Sequence, residues 1–243
     1  MSTNPDFFSA PSTVGEFRAN IDAVRQRIDA AARRAGRDPE EIRLLPVSKT
    51  VSEARLRLAV EAGCPELAEN KVQEAKRKSI ELADLDVQWA LIGHLQTNKA
   101  RDAASFASEF QALDSLRLAE ALDRRLQAVG REQDVFVQVN TSGEDSKFGI
   151  KPAEVTDFLR QLPSYSALRV RGLMTMAAFS DDEERVRNCF RILREARDLV
   201  REEDPALVGA GELSMGMSGD FELAVEEGSN CVRVGQAIFG ARQ

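Results

Sequence analysis

The side chains able to do chemistry lie far apart along the sequence. Lys49 follows the apolar run IRLLPVS. An amine delivered from such a run is partly desolvated, which disfavours its ammonium form and leaves a nucleophile able to form a Schiff base. A solvated lysine ending a strand is the other reading. Near the end of the chain, GELSMGMSGD (211–220) and VRVGQAIFG (232–240) are glycine-containing turns after short apolar stretches. Glycines let backbone N–H groups come close to an anion, Ser218 adds a hydroxyl, and a helix beginning near Gly219 would turn its positive end to the same place. Ser218 can equally cap that helix, whose first turn would carry Asp220 and Glu222. Arg233, two residues before Gly235, shares its strand face and needs a polar ligand or a carboxylate if it points inward.

Other positions are less specific. His94, in WALIGHLQTNKAR, is the sole imidazole and reads either as a proton-transfer group or as a structural histidine. Glu69 and Asn70, in LAENKVQEA, read as polar groups at a site mouth or as a helix start capped by Asn70. The polar stretch VNTSGEDSKFGI (139–150) reads as a flap or a solvated turn. Met174, Met176, Met215 and Met217 can pack against a flat ring or fill a core.

Elements must bring these residues together. Thr13 and Glu16 form a T-x-x-E capping box, and Phe17, Ile21, Val24 and Ile28 fall on one helical face up to Gly36. Residues 1–12, with two prolines and no period, predict a mobile tail, and 13–243 one domain. Strands are expected at 42–48, 66–68, 88–92, 110–113, 134–140, 168–174, 212–215 and 231–234. Helical periodicity lies between them: Leu116, Ala119, Leu122, Leu126 and Val129 share one face, Val186, Phe190, Leu193, Arg197 and Val200 another, and Lys151-Pro152 opens a third. Eight alternating units in 243 residues predict an α/β fold, a single (β/α)8 TIM barrel with an additional N-terminal helix, although an open doubly wound sheet has the same local pattern. In a barrel, the loops following the strands form one mouth, where all these residues would meet.

Composition narrows the function. With 33 Lys and Arg against 40 Asp and Glu, the net charge is −7, which disfavours a nucleic-acid partner. No secretory leader and no long apolar span is evident, so a cytoplasmic protein is expected. Three widely spaced cysteines and one histidine fit neither a disulfide framework nor a metal site.

Taken together, PVSKT, AENKVQEA, IGHLQTNK, VNTSGEDSKFG, RGLMTM, LSMGMSGDFELAVEEGS and VRVGQAIFGAR resemble the pyridoxal phosphate homeostasis proteins, whose fold is like the N-terminal barrel of alanine racemase. The resemblance runs from about residue 42 to 242 in strand order. It implies that Lys49 holds pyridoxal 5′-phosphate covalently, that Ser218, Gly235 and Gln236 bind its phosphate, that Arg233 faces the pyridine nitrogen, and that Asn70 and Met215 line the ring. Gln236 stands where relatives usually carry Thr or Ser, Leu67-Ala68 where Phe-Gly is common, and Ala90 where His is common. The first exchanges a hydroxyl donor for an amide.

The implied function is non-catalytic: binding of pyridoxal 5′-phosphate for intracellular homeostasis, buffering it or delivering it to apoenzymes, by a monomer with no membrane or nucleic-acid partner. A racemase on this fold needs a second acid/base, supplied in alanine racemases by a tyrosine of a separate domain. The sole tyrosine here, Tyr165, is expected at the opposite rim. The alternatives are an amino-acid racemase or lyase using Lys49 and His94, and an aldolase with Lys49 as its Schiff-base residue.

Overall fold

A computed structural model describes residues 10–144 and 147–241. Helix α1 (Val14–Arg34) starts at the expected capping box: the Thr13 hydroxyl accepts from the Glu16 N–H, and the Glu16 carboxylate reaches back to the Thr13 N–H. Strand and helix then alternate: β1 (Arg43–Pro46), α2 (Glu53–Glu61), β2 (Glu66–Glu69), α3 (Val72–Glu81), β3 (Gln88–Leu91), α4 (Ala100–Phe106), β4 (Glu109–Leu113), α5 (Leu116–Ala128), β5 (Gln133–Gln138), α6 (Val155–Leu159), β6 (Leu168–Met174), α7 (Glu183–Glu203), β7 (Glu212–Ser214), α8 (Phe221–Glu226), β8 (Cys231–Val234) and α9 (Gln236–Phe239).

The strands form one parallel sheet in the order β1-β8-β7-β6-β5-β4-β3-β2. Its two ends, β1 and β2, meet just past the β1 ladder, where Val47 bridges Ala68 and the Ser48 N–H donates to the Ala68 carbonyl at 2.9 Å. The sheet is thereby a nearly closed (β/α)8 barrel, not an open doubly wound sheet. Alternation along each strand divides the buried side chains into two populations. Leu44, Leu67, Val232 and Val234 face outward into an apolar layer under the helices. Leu45, Val47, Ala68, Ala90 and Cys231 pack inside the barrel.

The extra helix α1 lies on the outside of the β8/β1 region. Asn20 donates to the Ile238 carbonyl at 3.0 Å, and Phe17 meets Phe239 edge to face at 5.8 Å between centroids. Of the expected tail, residues 1–9 lie outside the described residues. Ala10 to Ser12 are tied down: Pro11 accepts from Arg55, and Ser12 donates to Glu16. All three cysteines are buried and unbridged, and burial pushes the Cys64 thiol up to about 12. Among the described residues, no helix is long and apolar enough to cross a membrane and no cluster of side chains fits a metal ion.

Candidate functional site at the barrel mouth

The β1–α2 turn and the β8–α9 turn face each other across a cavity of about 600 Å³, within the range of small-molecule sites. Lys49, half-buried, lines one side together with Thr50 and Arg55; Gly235, Gln236 and Phe239 line the other. The first two clusters of the sequence reading therefore share one site.

Gly235 sits in a tight place. Its φ of −110° is open to any residue, but a Cβ there would sit 3.0 Å from the Val47 carbonyl oxygen and 3.4 Å from the Val47 Cβ. Its N–H donates to the Ser218 Oγ at 3.3 Å. Ser218 thus joins the β7–α8 loop to the β8–α9 turn and makes no cap on α8, whose N-cap position is Asp220. The Asp220 carboxylate turns back onto the Met217 N–H, and Glu222 pairs outward with Arg27 at 2.9 Å. The carboxylate of Glu222 is accordingly directed at α1. Gln236 opens α9, so its backbone N–H is among those that a first helical turn leaves without an intrahelical partner.

Arg233 is 3 % exposed and points into the barrel. Its guanidinium donates to the Ser214 Oγ and to the Thr175 carbonyl, each at 2.7 Å, so it takes a hydroxyl and a carbonyl where the sequence suggested a ligand or a carboxylate. Ser214 donates onward to Gln111 at 2.7 Å, Gln111 to Glu109 at 2.6 Å, and Glu109 is gripped by two nitrogens of Arg43 at 2.7 and 2.8 Å. This hydrogen-bonded chain runs from the mouth to the base of the barrel. Burial pulls the Arg233 guanidinium below its ordinary pKa, opposed by Cys231, Asp220 and Glu109.

Met215 is fully buried in the core layer beside β7, and Asn70 is exposed at the end of β2; neither lines the cavity beside Lys49. Asn70 does not cap α3 either, since Lys71 holds the N-cap position and no side chain bonds there. The Asn70 backbone runs so close to Gly93 that a Cβ on Gly93 would lie 2.2 Å from the Asn70 carbonyl oxygen. Glu69 is not a mouth-lining group: it is fully buried and pairs with Lys78 at 2.6 Å. Burial raises its carboxyl above the ordinary value despite hydrogen bonds from Lys78 and Ser48.

His94 also lies outside the lining of this cavity. Its ring stacks on Phe148 with centroids 3.9 Å apart, and its Nδ1 lies 3.5 Å from Asp114. The 139–150 loop is pinned where it is described: Asn140 donates to the Glu144 and Lys147 carbonyls, and Lys147 to the Ala177 carbonyl. Tyr165 precedes β6, at the end of the barrel opposite Lys49.

Sequence reasoning missed Arg55 and the Lys78 pair. Arg55 follows Lys49 by six residues and donates to the carbonyls of Pro11 at 3.1 Å and Phe239 at 2.6 Å, fastening both chain ends to the cavity wall. Its signal was only an arginine on an otherwise ordinary amphipathic helix.

The nearly closed parallel barrel agrees with the family match: the model of the alanine racemase N-terminal domain matches residues 19–243. Solved alanine racemases agree in fold alone: that of Clostridium difficile aligns with TM-score 0.70 at 17% identity, over 93% of this chain and 56% of that one. Nearer relatives define the family. A pyridoxal phosphate homeostasis protein of Aquifex aeolicus is 39% identical over 92% of this chain and 97% of its own, and the one from Escherichia coli K12 is 39% identical over 92% and 95%. PipY of Synechococcus elongatus, solved with PLP bound, aligns with TM-score 0.81 at 34% identity, covering 92% of this chain and 100% of that one. This chain belongs to the pyridoxal phosphate homeostasis protein family.

Proposed function

We propose that the chain binds pyridoxal 5′-phosphate at the barrel mouth and serves as an intracellular, cytoplasmic reservoir that passes the coenzyme to apoenzymes. The observation that carries this reading is the shared cavity of Lys49, Gly235 and Gln236. A primary amine and a backbone turn cleared of side chains are what an aldehyde bearing a phosphate requires.

The donor set fits the group. Gly235 and Gln236 would hold the phosphate with backbone N–H groups, while the Ser218 hydroxyl, now accepting from Gly235, can turn its proton to an anion. Lys49 would hold the aldehyde carbon covalently. Arg233 would face the pyridine nitrogen, with Asn70 and Met215 beside the ring; Ser218, Arg233, Asn70 and Met215 all stand outside the cavity lining, and of these Ser218 is hydrogen-bonded to the Gly235 that lines it. The coenzyme supplies an aldehyde that condenses reversibly with amines and a ring able to accept electrons. The protein's own groups restrain the second property. Arg233 keeps a fixed positive charge at the mouth, which disfavours a proton on a neighbouring ring nitrogen. Its charge is backed by the Ser214–Gln111–Glu109 chain.

Racemisation needs an acid/base on the face opposite Lys49. Tyr165 lies at the wrong end of the barrel, and the His94 ring is engaged with Phe148 and Asp114. The reading is therefore a carrier without robust catalysis. Borohydride reduction of the loaded protein followed by peptide mapping should recover the coenzyme on Lys49; recovery on another amine overturns the assignment. Rapid exchange of an amino acid's α-hydrogen in deuterated water would overturn the non-catalytic reading in favour of a racemase or lyase.

A further inference from the structure

Behind Lys49 lies a buried charged cluster that the binding reading does not use. Lys78, on α3, is fully buried. Its Nζ donates to the Ser48 carbonyl at 2.9 Å, to Glu69 at 2.6 Å and to Glu74 at 2.8 Å, which accounts for all three ammonium hydrogens. Glu74 in turn accepts from the Thr50 N–H at 2.9 Å. The Ser48 side chain is held by the same Glu69 oxygen at 2.7 Å.

Those contacts fall on the two peptide groups that flank Lys49. The Ser48 carbonyl belongs to the peptide entering Lys49, and the Thr50 N–H to the peptide leaving it. The segment is a tight turn, closed by the Val51 N–H donating to the Ser48 carbonyl at 3.0 Å, and Thr50 at its third position has φ 67°. That place in a turn normally takes glycine or asparagine, and a β-branched residue there is strained unless its surroundings hold it. Glu74 and Lys78 supply the hold, one on each side of Lys49.

We infer that Lys78, with Glu69 and Glu74, is a positioning device for Lys49, locking the turn so that the Lys49 amine is presented to the cavity in one direction. Stability alone is a poor reason for the cluster. A buried ion pair gains little over apolar side chains of equal volume, and the second Glu69 carboxylate oxygen is buried without a hydrogen-bond partner.

The inference rests on Lys49 being the covalent attachment point. In that step the deprotonated Nζ adds to the aldehyde carbon, a C=N bond replaces C=O, and the oxygen leaves as water carrying the two amine hydrogens. Correct direction of the amine governs the rate of this step and has no bearing on how the phosphate is held. Glu74 is partly exposed, so Glu74→Ala is a milder variant than Lys78→Met. Stopped-flow absorbance of pyridoxal 5′-phosphate reacting with the purified protein should show C=N formation slowed by about tenfold or more in Glu74→Ala. Binding of pyridoxine 5′-phosphate, an alcohol that cannot form the bond, should stay within about twofold of wild type, a change well under 1 kcal/mol. Glu74→Gln, which keeps an oxygen for the Thr50 N–H, should restore most of the rate. An unchanged rate in Glu74→Ala, or equal losses for both ligands, overturns the positioning role while leaving the site itself standing. Borohydride trapping of the wild-type protein on a lysine other than Lys49 overturns both.

Discussion

A single carbon placed on Gly235 would press on the Val47 carbonyl from 3.0 Å, tighter than most side-chain contacts, and the atom that must give is backbone. Gly235→Ala should therefore push the β8–α9 turn away from β1 and weaken pyridoxine 5′-phosphate binding by about tenfold, or ~1.4 kcal/mol, in calorimetric titration. Gln236 makes the complementary case. Its backbone N–H survives the departure from Thr or Ser, but the hydroxyl does not, so Gln236→Thr should tighten phosphate binding by roughly 1 kcal/mol, the worth of one hydrogen bond. No gain in the same titration would mean that the amide already serves. At this scale the sequence was readable where residue type alone carries the chemistry: an amine after an apolar run, a hydroxyl and a glycine in short turns. It was silent on Arg55 and Lys78. Their work is done by the partners they reach, the Phe239 and Ser48 carbonyls, and those pairings exist only in the folded chain.

Elements were legible because each strand and helix repeats its own periodicity. All eight expected strands are present, with limits shifted by at most two residues, and α1, α5 and α7 follow the predicted faces. Val129 is the exception at an edge: it extends the apolar face of α5 in sequence, yet it occupies the C-cap and is 55% exposed. What periodicity cannot show is how neighbouring helices are fastened. Glu227, at the end of α8, meets Arg187, Arg191 and Arg194 of α7 at 3.2–3.3 Å, and Arg194 also donates to the Glu227 carbonyl at 2.7 Å. Partial burial would raise the Glu227 carboxyl, but the arginine hydrogen bonds and charges outweigh it and hold the group below the ordinary carboxyl range. A carboxyl whose folded pKa lies below its unfolded one stabilises the fold above the unfolded value. That contribution is lost as pH falls through the folded value. Thermal melts of Glu227→Gln should therefore lie below wild type at neutral pH and converge with it in acid. Parallel melting curves at every pH would show that the cluster contributes no linkage.

The whole molecule is a ring with two thin joints, each a single registered pair: Ser214 with Cys231 between β7 and β8, and Val47 with Ala68 between the ends of the sheet. Ladders of two to six registered residues join β2 through β6, and β8 shares four with β1. Between β1 and β2, the ends of the sheet, there is the Val47–Ala68 bridge and the Ser48 N–H on the Ala68 carbonyl. The β1–β2 joint sits directly under Lys49, so a place where the barrel is thinly held by backbone is the place where the proposed covalent partner is anchored. The Lys78 cluster then supplies, with side chains, the cross-link between β1 and β2 that the ladder lacks, because Lys78 bonds Ser48 from β1's end and Glu69 from β2. Local opening follows the lowest density of protected hydrogen bonds. Native-state hydrogen exchange should find the Ser48 amide opening far more readily than the Val135 or Val137 amides in the middle of the sheet. Loading with pyridoxal 5′-phosphate, by tying Lys49 in the β1–α2 turn to the β8–α9 turn, should slow exchange at Ser48 more than at any central-strand amide. Uniform protection around the ring, unchanged by loading, would mean that the β1–β2 joint is as firm as the ladders and that side chains do not complete it.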